Sequence, residues 1–451
     1  MLEENPKAYI VAVDMGYGHQ RAVFPLEHIA ALPEGWENLP SAIISANTYP
    51  GIPESDKRSW KGTRTLYEWI SRMRTVPFIG PVLFGAMNYF QRIEPFYPKR
   101  DLSKPTLQVK QIYRMIEKGF GKDLIEKLNE KPLPLITSFF ITAFFAEEHE
   151  YEGDIYCLCT DTDISRAWVP FYPKESRIIY LAPTQRVKDR LLLYGVRPEK
   201  VILTGFPLPK ELLGGESDLQ VLKRTLSRRI VKLDPQKNYE EKYKALVSKY
   251  LEEDTDYEGS ISLMFAIGGA GAQLDVGINI ITSLRSHIES NKIKLNLVAG
   301  TSLYVYETFK KKIEELGLLE SYKNGSISIL YNPEKFEYFR EFSALLLETD
   351  ILWTKPSELS FYAGLGLPII IAPPLGSQEE FNRAWLYSVE AGIDQEDPRY
   401  VSEWLFSWIS NGRFAEAAMN GFLNSPKRGV YHIEDLVLRG EKKEIEHIHS
   451  L

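Results

Sequence analysis

Only two cysteines, Cys157 and Cys159, occur among 451 residues, which excludes the disulfide framework that holds small secreted domains together. They lie two apart inside an apolar run, so in a strand both point to one face of a sheet and read as buried free thiols. With no further cysteine and no nearby pair of histidines, they do not make a zinc site. Basic charge is short as well: 54 Lys and Arg against 61 Asp and Glu leave a formal net charge of −7, and no broad basic field to favour nucleic acid. No stretch reaches the roughly 20 apolar residues of a membrane span. The amino-terminal segment is acidic where an export signal is basic, and its apolar run is too short, so a cytoplasmic protein is expected. Short repeats and low-complexity tracts are missing too, which sets aside solenoid and fibrous classes.

What the chain does have is the makeup of an ordinary globular protein, with 44% hydrophobic and 25% charged residues. Its length exceeds that at which one core keeps growing, so two domains of roughly 200 residues are expected. Residues 9–13 form a short apolar run followed at once by MGYGH, which predicts a buried parallel strand opening into a glycine loop, with a helix over about 20–31. Apolar runs at 133–141, 155–159, 178–182 and 201–205 then alternate with helical segments such as 184–194. The stretch 216–257 is rich in Lys, Arg and Glu with helical spacing, and reads as a charged helical connector. A new strand begins at Ile261, and strand–helix alternation resumes through KLNLVAG, SISILYN, ALLLETDILWT and LPIIIAPP. Two strand-then-glycine openings, at 9–19 and 261–273, thus each begin a βα series. The expected fold is α/β, with two Rossmann-like parallel-sheet domains facing an interdomain cleft. They span 1–215 and 258–451, the second ending in helices.

Three segments of the second half bear polar groups where strands meet helices. The loop Gly268-Gly269-Ala270-Gly271-Ala272-Gln273 lies between a strand and a helical segment. Its small residues would let backbone N–H groups approach a phosphate, and the helix N-terminus adds positive partial charge. The same glycines also suit a tight packing turn. Lys355, Ser357 and Glu358 stand at a second helix start. At a third, Gln378 and Asn382 lie four apart, with Glu379 beside them, so both amides share a face and could bind sugar hydroxyls. The plainer alternative makes Ser357 and Ser377 helix caps and sets Glu358 and Glu379 against the helix dipole.

Four segments, taken in order, resemble the UDP-sugar transferase group that contains monogalactosyldiacylglycerol synthase and the peptidoglycan N-acetylglucosaminyltransferase. Gly16-Tyr17-Gly18-His19 looks like the group's amino-terminal acceptor loop. Thr160-Asp161 with Trp168, followed by YLAPTQRVKDRLLLYGVRPEKVILTGFPL, is similar to the end of its first domain. GGAGAQ matches its glycine loop, and TKPSELSFYAGLGLPIIIAPPLGSQEEFNRAWL its donor-binding stretch. The resemblance covers most of 9–30, 155–210 and 261–393, and implies the GT-B glycosyltransferase architecture. The group has a ribose-binding Glu five residues before the Gly of a G-L-P turn. Counted back from Gly366, that position is Phe361 here, and the nearest acid is Glu358.

The resemblance implies an inverting transfer from a nucleotide sugar, UDP-linked by family default, to a lipid or small-molecule acceptor, with no cofactor and no metal. His19 would be the general base, and Asp161 either base or orienter of His19. As plainer roles, His19 donates or accepts a structural bond and Asp161 caps the following segment. Asp161-Thr162-Asp163 has metal-ligand spacing but follows a first-domain strand, away from the expected diphosphate. Segment 66–100, rich in aromatics and carrying Arg72, Arg74 and Arg92, reads either as a peripheral membrane or acyl-chain contact or as an amphipathic helix pair packed on the first sheet. Two other functions fit the architecture: a UDP-sugar 2-epimerase or hydrolase, and a non-catalytic nucleotide-sugar binder, which Phe361 would suit.

Overall fold

The structure, a computed structural model, describes residues 7–62, 93–251, 259–266, 268, 271, 273–374 and 376–443, with Ser377 by its backbone alone. Two compact units emerge: 1–207 with 428–445, and 208–427 with 446–451.

The first unit is built on a parallel sheet in the order β2-β1-β4-β5-β6-β7, with β3 also paired to β1. Its strands are β1 (Ala8–Ala12), β2 (Ala30–Ala31), β3 (Ile43–Ser45), β4 (Leu135–Thr137), β5 (Ile155–Leu158), β6 (Ile179–Ala182) and β7 (Val201–Leu203). Every residue of β1 is buried, as expected of a parallel strand covered on both faces. Tyr9, Val11 and Val13 join one core cluster with Phe144, Cys157 and Cys159. Both thiols are free and buried, and burial pushes the Cys157 thiol up from its ordinary pKa. The helix Leu107–Ile116 buries Val109, Ile112, Tyr113 and Ile116, the spacing of one helical face. Thr106 starts it by accepting a bond from the Val109 N–H, which satisfies one of the first-turn donors.

Two expected elements end sooner than their apolar runs. The helix after β1 spans only Gly18–Val23, and a 3-10 helix Phe24–Ile29 takes over. Pro25 sits at the start of that second helix and has no N–H to continue the first. The run 133–141 is a strand only over β4, and a helix Phe140–Glu148 follows, buried from Phe140 to Ala146. Continuous apolarity does not distinguish a buried strand from a buried helix.

The second unit has a parallel sheet in the order β10-β9-β8-β11-β12-β13. Its strands are β8 (Ile261–Ala266), β9 (Ile293–Gly300), β10 (Ile327–Tyr331), β11 (Ile351–Thr354), β12 (Ile369–Ile371) and β13 (Gly392–Asp394). The chain builds outward from β8 to β10, then crosses to the other side of β8 for β11 to β13. Here too one apolar run divides: ALLLE closes the helix Lys335–Glu348, and only Ile351–Thr354 is strand.

The charged stretch placed between domains in the sequence is part of this second unit. Its helix Gln220–Leu233 buries Leu222, Leu226, Ile230 and Leu233, each worth about 1.5–3 kcal/mol relative to exposure, and packs against the helix Arg413–Asn424. Arg229, on the same buried face, donates to the carbonyls of Thr349, Leu365 and Leu346. It thereby satisfies backbone acceptors at the ends of two helices. Burial and the neighbouring Arg228 push its guanidinium down to about 9. The last described helix, Gly429–Arg439, returns to the first unit. There His432 Nδ1 lies 3.0 Å from the Thr204 carbonyl, and Glu434 pairs with His28 at 2.6 Å. Among the described residues, no helix is long and apolar enough to cross a membrane.

Candidate functional site

Each sheet has a point where the strand order reverses, and there the loops leaving two adjacent strands diverge to opposite faces and open a crevice. In the second unit that point lies between β8 and β11, which pair from Ile351 with Leu263 to Thr354 with Ala266. The two loops that follow them carry the glycine segment and the Lys355–Glu358 segment. They come together: a Cβ built on Gly268 would lie 2.7 Å from Lys355 Cε. The Lys355 ammonium is 2.5 Å from Glu379 Oε1, and their side chains are 25% and 14% exposed. Glu379 belongs to the first turn of the helix Ser377–Ser388, so a third loop, after β12, joins the same place.

The glycine loop closes on itself through Gly271 N–H to the Gly268 carbonyl at 2.9 Å. Gly271 has φ +66°, a left-handed conformation that a side chain would strain. Gln273 precedes the long helix Leu274–Glu289 and is buried. Its Nε2 donates to the Pro373 carbonyl at 3.0 Å, while its Oε1 has no partner among the described residues. This amide thus ties the loop after β8 to the loop after β12. Asn382 is also buried, and its Nδ2 reaches the Pro356 carbonyl at 3.4 Å. Gln378, one turn earlier on the same helix, is half-buried. Gly269 and Ala270 lie outside the described residues.

The helix-start assignments resolve individually. Ser357 is the residue before the 3-10 helix Glu358–Leu365, yet its side chain makes no cap bond. Gly376, not Ser377, takes the cap position of the helix Ser377–Ser388. Glu358 is buried at the first turn of its helix. Phe361 is 2% exposed, with its ring 5.2 Å from that of Trp385. An apolar ring facing the core offers nothing to a ribose hydroxyl.

In the first unit the reversal lies between β1 and β4, and His19 stands there, on the helix just after β1. His19 Nδ1 is 2.8 Å from the Ser138 carbonyl, and Ser138 Oγ donates to the His19 carbonyl at 2.8 Å. A carbonyl only accepts, so the ring proton is on Nδ1, and in the neutral imidazole Nε2 is the basic nitrogen. Phe139 meets the ring edge-on at 4.9 Å, and Trp168 lies 6.5 Å away. The glycine loop is held from a third strand: Asn47, after β3, accepts from the Asp14 N–H at 2.8 Å and donates to the Asp14 carbonyl at 3.2 Å.

Asp161 is half-buried in the loop after β5. Two positions on, Asp163 is buried and binds the Arg190 guanidinium through both oxygens at 2.8 Å, with Arg186 at 2.9 Å. Those oxygens are committed to guanidinium groups, so the Asp161–Asp163 spacing does not present two carboxylates to a cation. Among the described residues, no group of three His, Cys, Asp or Glu could hold a metal ion. Ser138 and Asn47 had no signal in the sequence, because each acts through backbone groups that only strand pairing brings near. Arg72, Arg74 and Arg92 lie outside the described residues.

Residues 253–431 match a family described as a domain of unknown function (DUF6938). A processive diacylglycerol β-glucosyltransferase of Bacillus cytotoxicus is 22% identical over 455 residues, covering 99% of this chain and 96% of that protein. Among solved structures, a UDP-GlcNAc 2-epimerase from Neisseria meningitidis bound to UDP-GlcNAc is 12% identical. It matches over 96% of this chain and 100% of its own, with a TM-score of 0.47. MurG of Acinetobacter baumannii is 10% identical over 96% of this chain and 99% of its own, with a TM-score of 0.45. Two helix-flanked parallel sheets, in a chain similar from end to end to a glucosyltransferase, make this a GT-B glycosyltransferase-like fold.

Proposed function

We infer that the protein is a glycosyltransferase that moves a sugar from a nucleoside diphosphate, UDP in the first instance, to a lipid or small-molecule acceptor. One observation carries this reading: three separate loops of the second unit bring Gly268, Lys355, Gln273 and Glu379 together at the sheet's reversal point. The 16-residue helix after the glycine loop offers first-turn N–H groups and a positive end to phosphate, and Lys355 adds a cation. Such preorganised charge would stabilise a departing diphosphate in place of a divalent ion. Glu379 and Gln378 suit sugar hydroxyls. In the first unit, His19 would take the acceptor's proton through Nε2, its ring oriented by the Ser138 carbonyl. Direct attack by that hydroxyl at the anomeric carbon gives inversion.

Similarity to a diacylglycerol glucosyltransferase makes diacylglycerol the first acceptor to try, with peripheral membrane association as its corollary. One feature favours a second reading: Phe361 places a buried apolar ring where the resembled group has its ribose carboxylate, which suits a binder without turnover. A thermal-shift panel of nucleoside diphosphates and nucleotide sugars names the donor, since a ligand of the native state raises apparent stability. Incubation with that donor and diacylglycerol vesicles then separates the functions. A glycolipid product supports transfer, an altered sugar on the nucleotide supports epimerisation, and binding without product supports the silent binder.

A further inference from the structure

Resting on the transfer reading, the inference here concerns what holds His19 in place within the first unit. β1 and β3 pair in register from Ile10 with Ile43 to Ala12 with Ser45, and the Ala46 N–H continues the ladder to the Ala12 carbonyl at 2.8 Å. Counted on by two in the same register, Asp14 falls opposite Asn47. There the Asn47 carboxamide does what a neighbouring strand would do. Its Oδ1 accepts from the Asp14 N–H at 2.8 Å, and its Nδ2 donates to the Asp14 carbonyl at 3.2 Å. β3 also reaches the helix beyond the loop, since the buried Gln20 donates through Nε2 to Ser45 Oγ at 3.0 Å. From β4, Ser138 holds both the backbone and the ring of His19.

Four residues, Met15 to Gly18, therefore span the gap between two fixed points, Asp14 and His19. So short a span passes a movement at Asp14 on to the imidazole. A general base works only within hydrogen-bond reach of the proton it takes, about 2.6–3.2 Å, and a misplacement of about 1 Å can cost on the order of 10²-fold in rate. We propose that Asn47, backed by Ser45 and Gln20, is a positioning residue. By fixing the backbone at Asp14 it holds His19 Nε2 within reach of the acceptor hydroxyl, so that the base is in place before the acceptor arrives.

Glycolipid formation from UDP-glucose and diacylglycerol vesicles, with UDP affinity measured by calorimetry, tests this on the full chain and its Asn47→Ala, His19→Ala and doubly substituted forms. Asn47→Ala should lower kcat by about 10- to 100-fold, with UDP affinity and acceptor KM little changed. In the His19→Ala background, followed with radiolabelled donor, the same substitution should lower kcat by less than about threefold, because the group it positions is gone. Should the alanine form melt below the assay temperature, Asn47→Asp takes its place. It keeps an acceptor for the Asp14 N–H and loses the donor to the carbonyl. An unchanged kcat in a folded Asn47 variant overturns the positioning role. An equal loss with and without His19 also overturns it, as does a loss that appears only as weaker UDP binding. A wild type that forms no glycolipid defeats the transfer reading itself, and the role of Asn47 falls with it.

Discussion

Two ion pairs, one in each unit, differ chiefly in exposure. Asp163 and Arg190, beside the first sheet, are 1% and 0% exposed and joined by two parallel bonds. Lys355 and Glu379, beside the second, meet through Nζ and Oε1 at 25% and 14% exposure. A third pair, Asp397 with Arg399 on a surface turn of the second unit, is 37% and 66% exposed. A sealed, bidentate pair has nowhere to send its charges and acts as a structural clamp. A half-open pair beside a glycine loop keeps part of its charge within reach of solvent. An exposed pair competes with water and contributes little. The same chemistry thus serves structure or binding according to what surrounds it.

The largest expected effect tests whether the first unit contributes chemistry beyond its clamp. His19→Ala should lower turnover by roughly 10²–10⁴-fold, as for a positioned general base, while calorimetry shows donor affinity little changed. If activity falls only in step with the folded fraction, the histidine is structural. The clamp comes next: Asp163→Ala leaves Arg190 buried without its carboxylate and should cost about 3–5 kcal/mol in urea unfolding. A cost under about 1 kcal/mol would erase the contrast between the sealed and half-open pairs.

Gly268→Ala should act on the half-open pair alone. Its methyl group would push the flexible lysine stem aside, so nucleotide affinity should fall about tenfold, as for one charge-assisted bond, with the melting temperature nearly unchanged. A large loss of stability instead would make Gly268 a packing residue. The smallest effect belongs to the exposed pair. Bonds from Arg399 hold the Asp397 carboxyl down at about 2, below its ordinary value of 3.8. A depressed carboxylate stabilises above its unfolded pKa and loses that contribution as pH falls through the folded one. Asp397→Asn should therefore lower the melting temperature at pH 7 by no more than a degree or two and leave it unchanged near pH 2. A larger drop at pH 7 would break the ordering by exposure.

Much of the fold was legible from local pattern. The strand at β1 and the strand at β8 showed as apolar runs meeting glycines, and the helix Gln185–Leu193 showed as a spaced apolar face behind Thr184. Legibility failed where apolarity was continuous, as in ALLLETDILW, whose first half is helix. It failed again at the charged stretch around 220–233, where surface composition hid the buried stripe of Leu222, Leu226 and Ile230. Of the candidate site, the glycine loop, His19 and the Gln378–Asn382 segment were visible as residue types at strand ends. Ser138 and Asn47 were not, since their partners are main-chain groups.

The sequence by itself placed the strands β1 and β8 and the glycine turns that follow them, because an apolar run that meets glycine is a property of neighbours along the chain. Only the tertiary structure decided that Lys355 lies on Gly268 and reaches Glu379, that Gln273 bridges to Pro373, and that Phe361 turns inward against Trp385. The reason lies in strand order. β8 pairs with β11 only after β9 and β10 have been laid on its other side, and that crossing sets three distant loops at one reversal point.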